Sequence, residues 1–238
     1  MSLKYILFDL DGTLLPMNQD IFVERYFASL AEKLSCHGYE PESLVRAVWS
    51  GTSKMIKNDG IKTNERVFWD HFISVFGEKA LNDIVLFNEF YLKDFDKIKA
   101  SCSFTPKAAM TINKLKNMGL KLVLATNPIF PAVATEKRIS WAGLKPDDFI
   151  LYTTYENSSY SKPSPMYYKN IASMLGVDPT DCLMVGNDVS DDMPAESVGM
   201  KVFLLTDCLI NKENIDISIY PNGSFDELID YIGKILVN

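Results

Sequence analysis

The sequence predicts an α/β protein: a doubly wound parallel sheet with an all-helical unit inserted after its first strand. Three observations carry this. Five short apolar runs lack the alternation of a half-exposed strand, as a sheet covered on both faces requires. Helical patterns separate those runs in the C-terminal half, giving a β-α order. Between residues 18 and 103 the chain holds helical patterns and no convincing strand.

The elements follow in chain order. Residues 5–9 form the first strand. Residues 21–34, 41–55, 64–76 and 80–95 repeat apolar side chains at helical spacing, with Ser50-Gly51 and Asn58-Asp59-Gly60 reading as turns or loop tips. Residues 106–118 open on Pro106, suited to a first helical position, and stop at Gly119 before a strand at 120–126. A helix at 131–141, followed by Gly143, precedes a strand at 149–153. A helix at 165–175, followed by Gly176, precedes a strand at 181–186, and 201–205 is the fifth strand. The expected division is a core domain of residues 1–17 and 104–238 around a helical domain of residues 18–103.

The 238 residues are 47% hydrophobic, enough for one sizeable core or for a core with a smaller appended unit. A net charge of -7 argues against non-specific nucleic-acid binding, which needs clustered cations. Cys36, Cys102, Cys182 and Cys208 are far apart and form no CxxC pair, so neither a zinc site nor a disulfide framework is expected. No apolar run approaches the roughly 20 residues of a membrane span, and the first residues lack a signal-peptide pattern. The expectation is a soluble, cytoplasmic monomer. His37 and His71 show no partner spacing. Trp49, Trp69 and Trp141 lie among apolar neighbours and read as core rather than as a substrate platform.

The strongest chemical signal is Phe8-Asp9-Leu10-Asp11-Gly12-Thr13, directly after an apolar strand. In extended chain, residues i and i+2 share a side, so Asp9 and Asp11 gather at the carboxyl end of the strand, where doubly wound sheets bind ligands. Adjacent carboxylates repel unless a cation lies between them or one holds a proton. Both conditions suit phosphoryl transfer, with one carboxylate attacking phosphorus and the other moving protons. Three further features close other strands. Thr126-Asn127 offers a hydroxyl and an amide to phosphoryl oxygens. Ser161-Lys162-Pro163-Ser164-Pro165 places an ammonium in stiff backbone. Gly186-Asn187-Asp188-Val189-Ser190-Asp191-Asp192 brings an acidic cluster that can complete a Mg²⁺ site, which takes hard oxygen ligands.

Together and in this order, these four features resemble the motifs of the haloacid dehalogenase superfamily, spread over nearly the whole chain. The resemblance implies a Rossmann-like core with Mg²⁺ at the active site and a phosphatase that acts on a small phosphorylated substrate through an aspartyl-phosphate. It implies Asp9 as nucleophile and metal ligand, and Asp11 as acid/base with its backbone carbonyl on the metal. Thr126 and Lys162 would bind the phosphoryl group, with Asn127 beside them, and Asp188 and Asp192 would complete the metal site. Many relatives carry Asp directly after the glycine, where this chain has Asn187. Asp188 is favoured as the direct ligand, because a carboxylate holds Mg²⁺ better than an amide does, with Asn187 as the alternative. The helical insertion resembles a C1-type cap. Its basic segment around Lys54 and Lys57 could contact substrate.

Rival readings share the fold. Asp11 argues against a dehalogenase. A phosphonate hydrolase would use Lys54, Lys57 or Lys62 for a Schiff base, and a phosphomutase would return the phosphoryl group to a sugar. A non-catalytic module that binds a phosphorylated metabolite or a protein is the alternative of another class, with Asn187 as its one hint.

Overall fold

Six parallel strands form one sheet in the computed structural model, which describes residues 3–237. They are β1 (Tyr5–Phe8), β2 (Lys121–Leu124), β3 (Leu151–Tyr152), β4 (Cys182–Gly186), β5 (Lys201–Leu205) and β6 (Asn222–Gly223), in the order β3-β2-β1-β4-β5-β6. Chain order reverses at β1, so the crevice between β1 and β4 is the switch point at which such sheets take ligands. Register brings the motif-bearing ends level: Phe8 pairs with Leu124 on one side and with Val185 on the other.

The inner strands β1, β2, β4 and β5 are buried on both faces, which is why their sequences do not alternate. Ile6, Phe8, Leu122, Leu124, Leu183 and Val185 face one apolar cluster. There they meet α5 (Pro106–Asn117), α6 (Ala132–Trp141) and α8 (Phe225–Val237) through Leu115, Ile139 and Leu228. Tyr5, Leu7, Val123, Ala125 and Met184 face the other cluster, against Tyr167, Tyr168 and Ile171 of α7 (Pro165–Leu175). The local signals act as expected: Thr105 and Ser164 cap α5 and α7 ahead of Pro106 and Pro165, and Gly176 closes α7 in the left-handed region.

Four helices follow β1: α1 (Gln19–Ser35), α2 (Pro41–Ile56), α3 (Asn64–Phe76) and α4 (Lys79–Glu89). The apolar cluster of the first sheet face runs on into them through Phe22, Tyr26, Phe68, Phe72 and Phe87. Three details differ from the sequence reading. Ser50-Gly51 lies inside α2, where a side chain at Gly51 would strike the Phe68 ring. The helix expected through residue 95 leaves regular α geometry at Phe90–Asp94, a widened π turn, then tightens to a 3-10 turn over Phe95–Ser101, with Phe90, Tyr91 and Phe95 all buried. The edge strand β6 and helix α8 were not anticipated; β6 is two residues long, too short for a periodic pattern. No helix among the described residues is long and apolar enough to cross a membrane.

Candidate active site

The site forms where β1, β2 and β4 end. Asp9 extends the ladder one residue past β1, its N–H donating to Val185 O at 2.9 Å. Regular strand stops at Phe8, so alternation alone does not bring Asp9 and Asp11 together. The chain turns through Gly12, at φ +85°, and carries both carboxylates to one cavity. A side chain at Gly12 would both strain that backbone and strike the amide of Asn187.

Lys162 is the centre of the charge arrangement. Its side chain is 1% exposed, and its Nζ donates to Asp9 Oδ1 at 2.8 Å and to Asp192 Oδ1 at 2.6 Å. Burial opposes the ammonium, but Asp192 and Asp9 outweigh it and hold the Lys162 pKa well above the usual lysine value. Burial pushes the Asp192 carboxyl up, against the pull of Lys162. The other Asp192 oxygen accepts the Asp188 N–H at 3.0 Å. Gly186 has no side chain where that carboxylate packs; a Cβ there would overlap it.

Thr13 offers its one hydroxyl proton to Asp9 Oδ2 at 3.2 Å and Asn187 Oδ1 at 2.9 Å. The Asn187 amide donates to Cys208 O at 2.7 Å. Asp11 Oδ2 accepts from the buried guanidinium of Arg138, while Asp11 Oδ1 is buried without a hydrogen-bond partner. Burial raises the Asp11 pKa; Arg138 works against the rise and Asp9 adds to it. The Thr126 carbonyl accepts from Tyr167 at 2.8 Å and from Thr153 at 2.7 Å, anchoring the end of β2. Asn127 donates to Asp191 at 3.4 Å, and its Oδ1 is buried without a partner. Above these groups lies a cavity of about 400 Å³, roofed by α1, α2 and α3.

Of the residues expected from sequence, Asp9, Asp11, Thr126, Asn127, Lys162, Asn187, Asp188 and Asp192 all line this cavity. Lys54 and Lys57 do not. Both are exposed, because α2 turns Leu44, Val48 and Met55 inward. Lys62 is also outside, paired with Asp70 at 2.8 Å, so none of the three lysines considered for a Schiff base lines the cavity. Trp49 and Trp69 line it rather than serving purely as core, and Trp49 is 50% exposed. Asp192, an expected metal ligand, commits one oxygen to Lys162 and the other to Asp188 N–H. Asn187 is likewise engaged at both ends. Asp188 accepts the N–H groups of Ser190 and Asp191 on Oδ1.

Asp191, read from sequence as part of the acidic cluster but given no role of its own, also lines the cavity, its pKa raised by burial. Two residues escaped the sequence reading. Arg138 is a cation on the buried stripe of α6, beside Ala134, Thr135 and Ile139, and that misplaced charge was the available signal. Asn64, fully buried, donates to Pro128 O at 3.0 Å and to Ser161 Oγ at 3.1 Å. It joins α3 to the loop that carries Lys162. Nothing in its sequence context marks it.

Asp9, Asp11, Asp188, Asp191 and Asp192 thus surround a cavity whose buried cationic groups are Lys162 and, behind Asp11, Arg138. An excess of hard oxygen donors, with two buried oxygens lacking partners, fits a small divalent cation. Among the described residues no three acidic, histidine or cysteine side chains converge on one point. The fit is to an ion that one or two carboxylates hold together with water.

A six-stranded parallel sheet with this carboxylate and lysine cluster at its switch point defines a Rossmann-like protein whose candidate active site is built on aspartates. The sequence profile of the haloacid dehalogenase-like hydrolases matches residues 3–199, and the chain belongs to that family. It is similar to a phosphoglycolate phosphatase of Aquifex aeolicus (24% identical, over 85% of this chain and 84% of the relative). It is also similar to the pyrophosphatase PpaX of Bacillus velezensis (24% identical, over 82% and 80%). Among solved structures, a HAD phosphatase from Thermococcus onnurineus superposes with a TM-score of 0.60 at 21% identity, over 97% and 98% of the two chains.

Proposed function

We propose that this chain is a Mg²⁺-dependent phosphatase that hydrolyses a small phosphorylated metabolite through an aspartyl-phosphate on Asp9. The observation that carries this reading is the shared ammonium, with Lys162 Nζ 2.8 Å from Asp9 Oδ1 at the floor of the cavity. A carboxylate fixed beside a buried cation is positioned to attack an anionic phosphoryl group that would otherwise repel it. The names of relatives matched over 84% and 80% of their length, a phosphoglycolate phosphatase and a pyrophosphatase, support the same chemistry.

In the first step Asp9 attacks phosphorus and the bond from phosphorus to the leaving oxygen breaks, while Asp11 gives that oxygen a proton. The burial that raises the Asp11 pKa favours the protonated form needed here. In the second step Asp11 takes a proton from water, the resulting hydroxide attacks phosphorus, and the bond to Asp9 breaks to release orthophosphate. Thr126 and Lys162, with Asn127 beside them, face the phosphoryl oxygens and stabilise their charge. Mg²⁺ would be held by Asp9, Asp188 and the Asp11 backbone carbonyl, and when bound it supplies positive charge against those oxygens. Residues 18–103 act as a cap over the core of residues 1–17 and 104–238, excluding water.

Asp9→Asn tests the assignment. The expected result is a folded protein whose Mg²⁺-dependent turnover of acetyl phosphate falls to background. Turnover at the wild-type rate would overturn the nucleophile.

A further inference from the structure

The cavity above Asp9 has a one-sided chemistry. Its acidic groups all come from the loops at the strand ends. The part built by α1, α2 and α3 is mostly apolar and rich in rings, including Phe27, Trp49, Phe68 and Trp69, with Gln19 and Thr52 as polar exceptions, and Phe130 and Tyr155 complete it from the core. Among the described residues lining it, the cations are Lys162 and Lys212. Lys162 is committed to Asp9 and Asp192, and Lys212 is exposed on the loop after β5. No cation reaches the cavity from α1 to α4. Of the hydroxyls on the helical side, those of Tyr26 and Tyr91 hydrogen-bond each other at 2.8 Å and that of Thr52 donates to Val48 O at 2.9 Å.

We infer that this cavity takes a phosphate monoester whose leaving group is uncharged and carries an aromatic ring or a comparably bulky apolar body. This rests on the phosphatase reading and goes beyond it by naming the substrate class. A second anionic group, such as a carboxylate or a further phosphate, would lose its water against the aromatic side chains and find no counter-ion on the helical wall. A polyhydroxylated leaving group would lose more hydrogen bonds than this wall can replace, since its polar groups are few: Gln19, Thr52 and the buried, unpartnered indole N–H of Trp69 among them. A ring gains by leaving water and by stacking among rings already in contact, such as Phe27 and Trp49, whose centroids are 5.3 Å apart.

The test compares benzyl phosphate with 2-phosphoglycolate, glycerol phosphate and pyrophosphate, using the full chain with Mg²⁺. Benzyl alcohol is no better a leaving group than the alcohols of the first two, so a preference among these esters reads the cavity rather than intrinsic reactivity. The expected kcat/KM for benzyl phosphate exceeds the others by about tenfold or more. Trp49→Ala, at a half-exposed position, is expected to lower the ratio of benzyl phosphate to acetyl phosphate turnover several-fold. Equal or better turnover of the anionic or hydroxylated compounds, or an unchanged ratio in Trp49→Ala, overturns the inference while leaving the phosphatase reading intact. Binding of benzylphosphonate against methylphosphonate, followed by tryptophan fluorescence, separates the two claims if nothing is hydrolysed. Tighter binding of the benzyl compound, by about tenfold, then supports the apolar cavity and the hydrolase reading fails. Equal binding overturns the cavity assignment itself.

Discussion

Lys162→Met is the most informative perturbation of the charge arrangement. Methionine keeps much of the side-chain volume and removes the ammonium that Asp9 and Asp192 share at 2.8 and 2.6 Å. Removing one partner of a buried ion pair costs about 3–5 kcal/mol, because the other charge is left buried and uncompensated. Here two carboxylates are stranded, which points to the upper part of that range. For a chain of this size the melting temperature should fall by roughly 6–20 °C, at about 2–4 °C per kcal/mol. Urea denaturation with EDTA present, followed by circular dichroism, reads the loss without metal. The cost also depends on pH. Burial already raises the Asp192 pKa, and losing Lys162 raises it further above its unfolded value. A group with a raised folded pKa contributes stability at low pH and loses it as pH rises through the folded value. The variant should therefore be closest to wild type at about pH 5 and furthest from it at about pH 8. A cost below about 1 kcal/mol at neutral pH, or one that does not grow with pH, would refute the claim that this ammonium holds the two carboxylates in place.

Arg138→Met leaves Asp11 buried without the guanidinium that works against its raised pKa. The acidic limb of the kcat profile, where Asp11 must act as a base, should move up by about one to three pH units, measured by steady-state turnover from acid to alkaline pH. Asn64→Ala removes a buried donor from Pro128 O and Ser161 Oγ. It should cost about 1–3 kcal/mol by thermal denaturation and raise KM more than it lowers kcat, since it loosens α3 from the Lys162 loop.

Much of the fold was legible because the chemistry that forms it is local. Pro106, Pro165 and Gly176 stand where helices begin and end, and the runs through Ile6, Val123 and Met184 are apolar because both faces are covered. Each strand end carried its own signal, and shared topology brings Asp9, Thr126 and Asp188 to one edge. Other features depend on distant partners. Sequence could not say that Asp192 would turn to Lys162 and to the Asp188 N–H, because that choice depends on a cation 30 positions away. Nor could it separate a ring facing core from one facing a cavity. Trp49 and Trp69 satisfy the same helical spacing in either case, and only the gap between α1, α2, α3 and the sheet distinguishes them. Lys54 and Lys57 attracted notice by charge, yet an exposed helix end accounts for them.

The central claim is covalent, and trapping the intermediate tests it most directly. Asp11→Asn protein, mixed with radiolabelled acetyl phosphate and Mg²⁺ and quenched in acid, should retain label that alkali releases. Peptide mapping should locate that label on Asp9, since the variant forms the acyl phosphate from a good leaving group but lacks the base that hydrolyses it. Label on any other residue, or wild-type turnover with no labelled protein, would contradict the account.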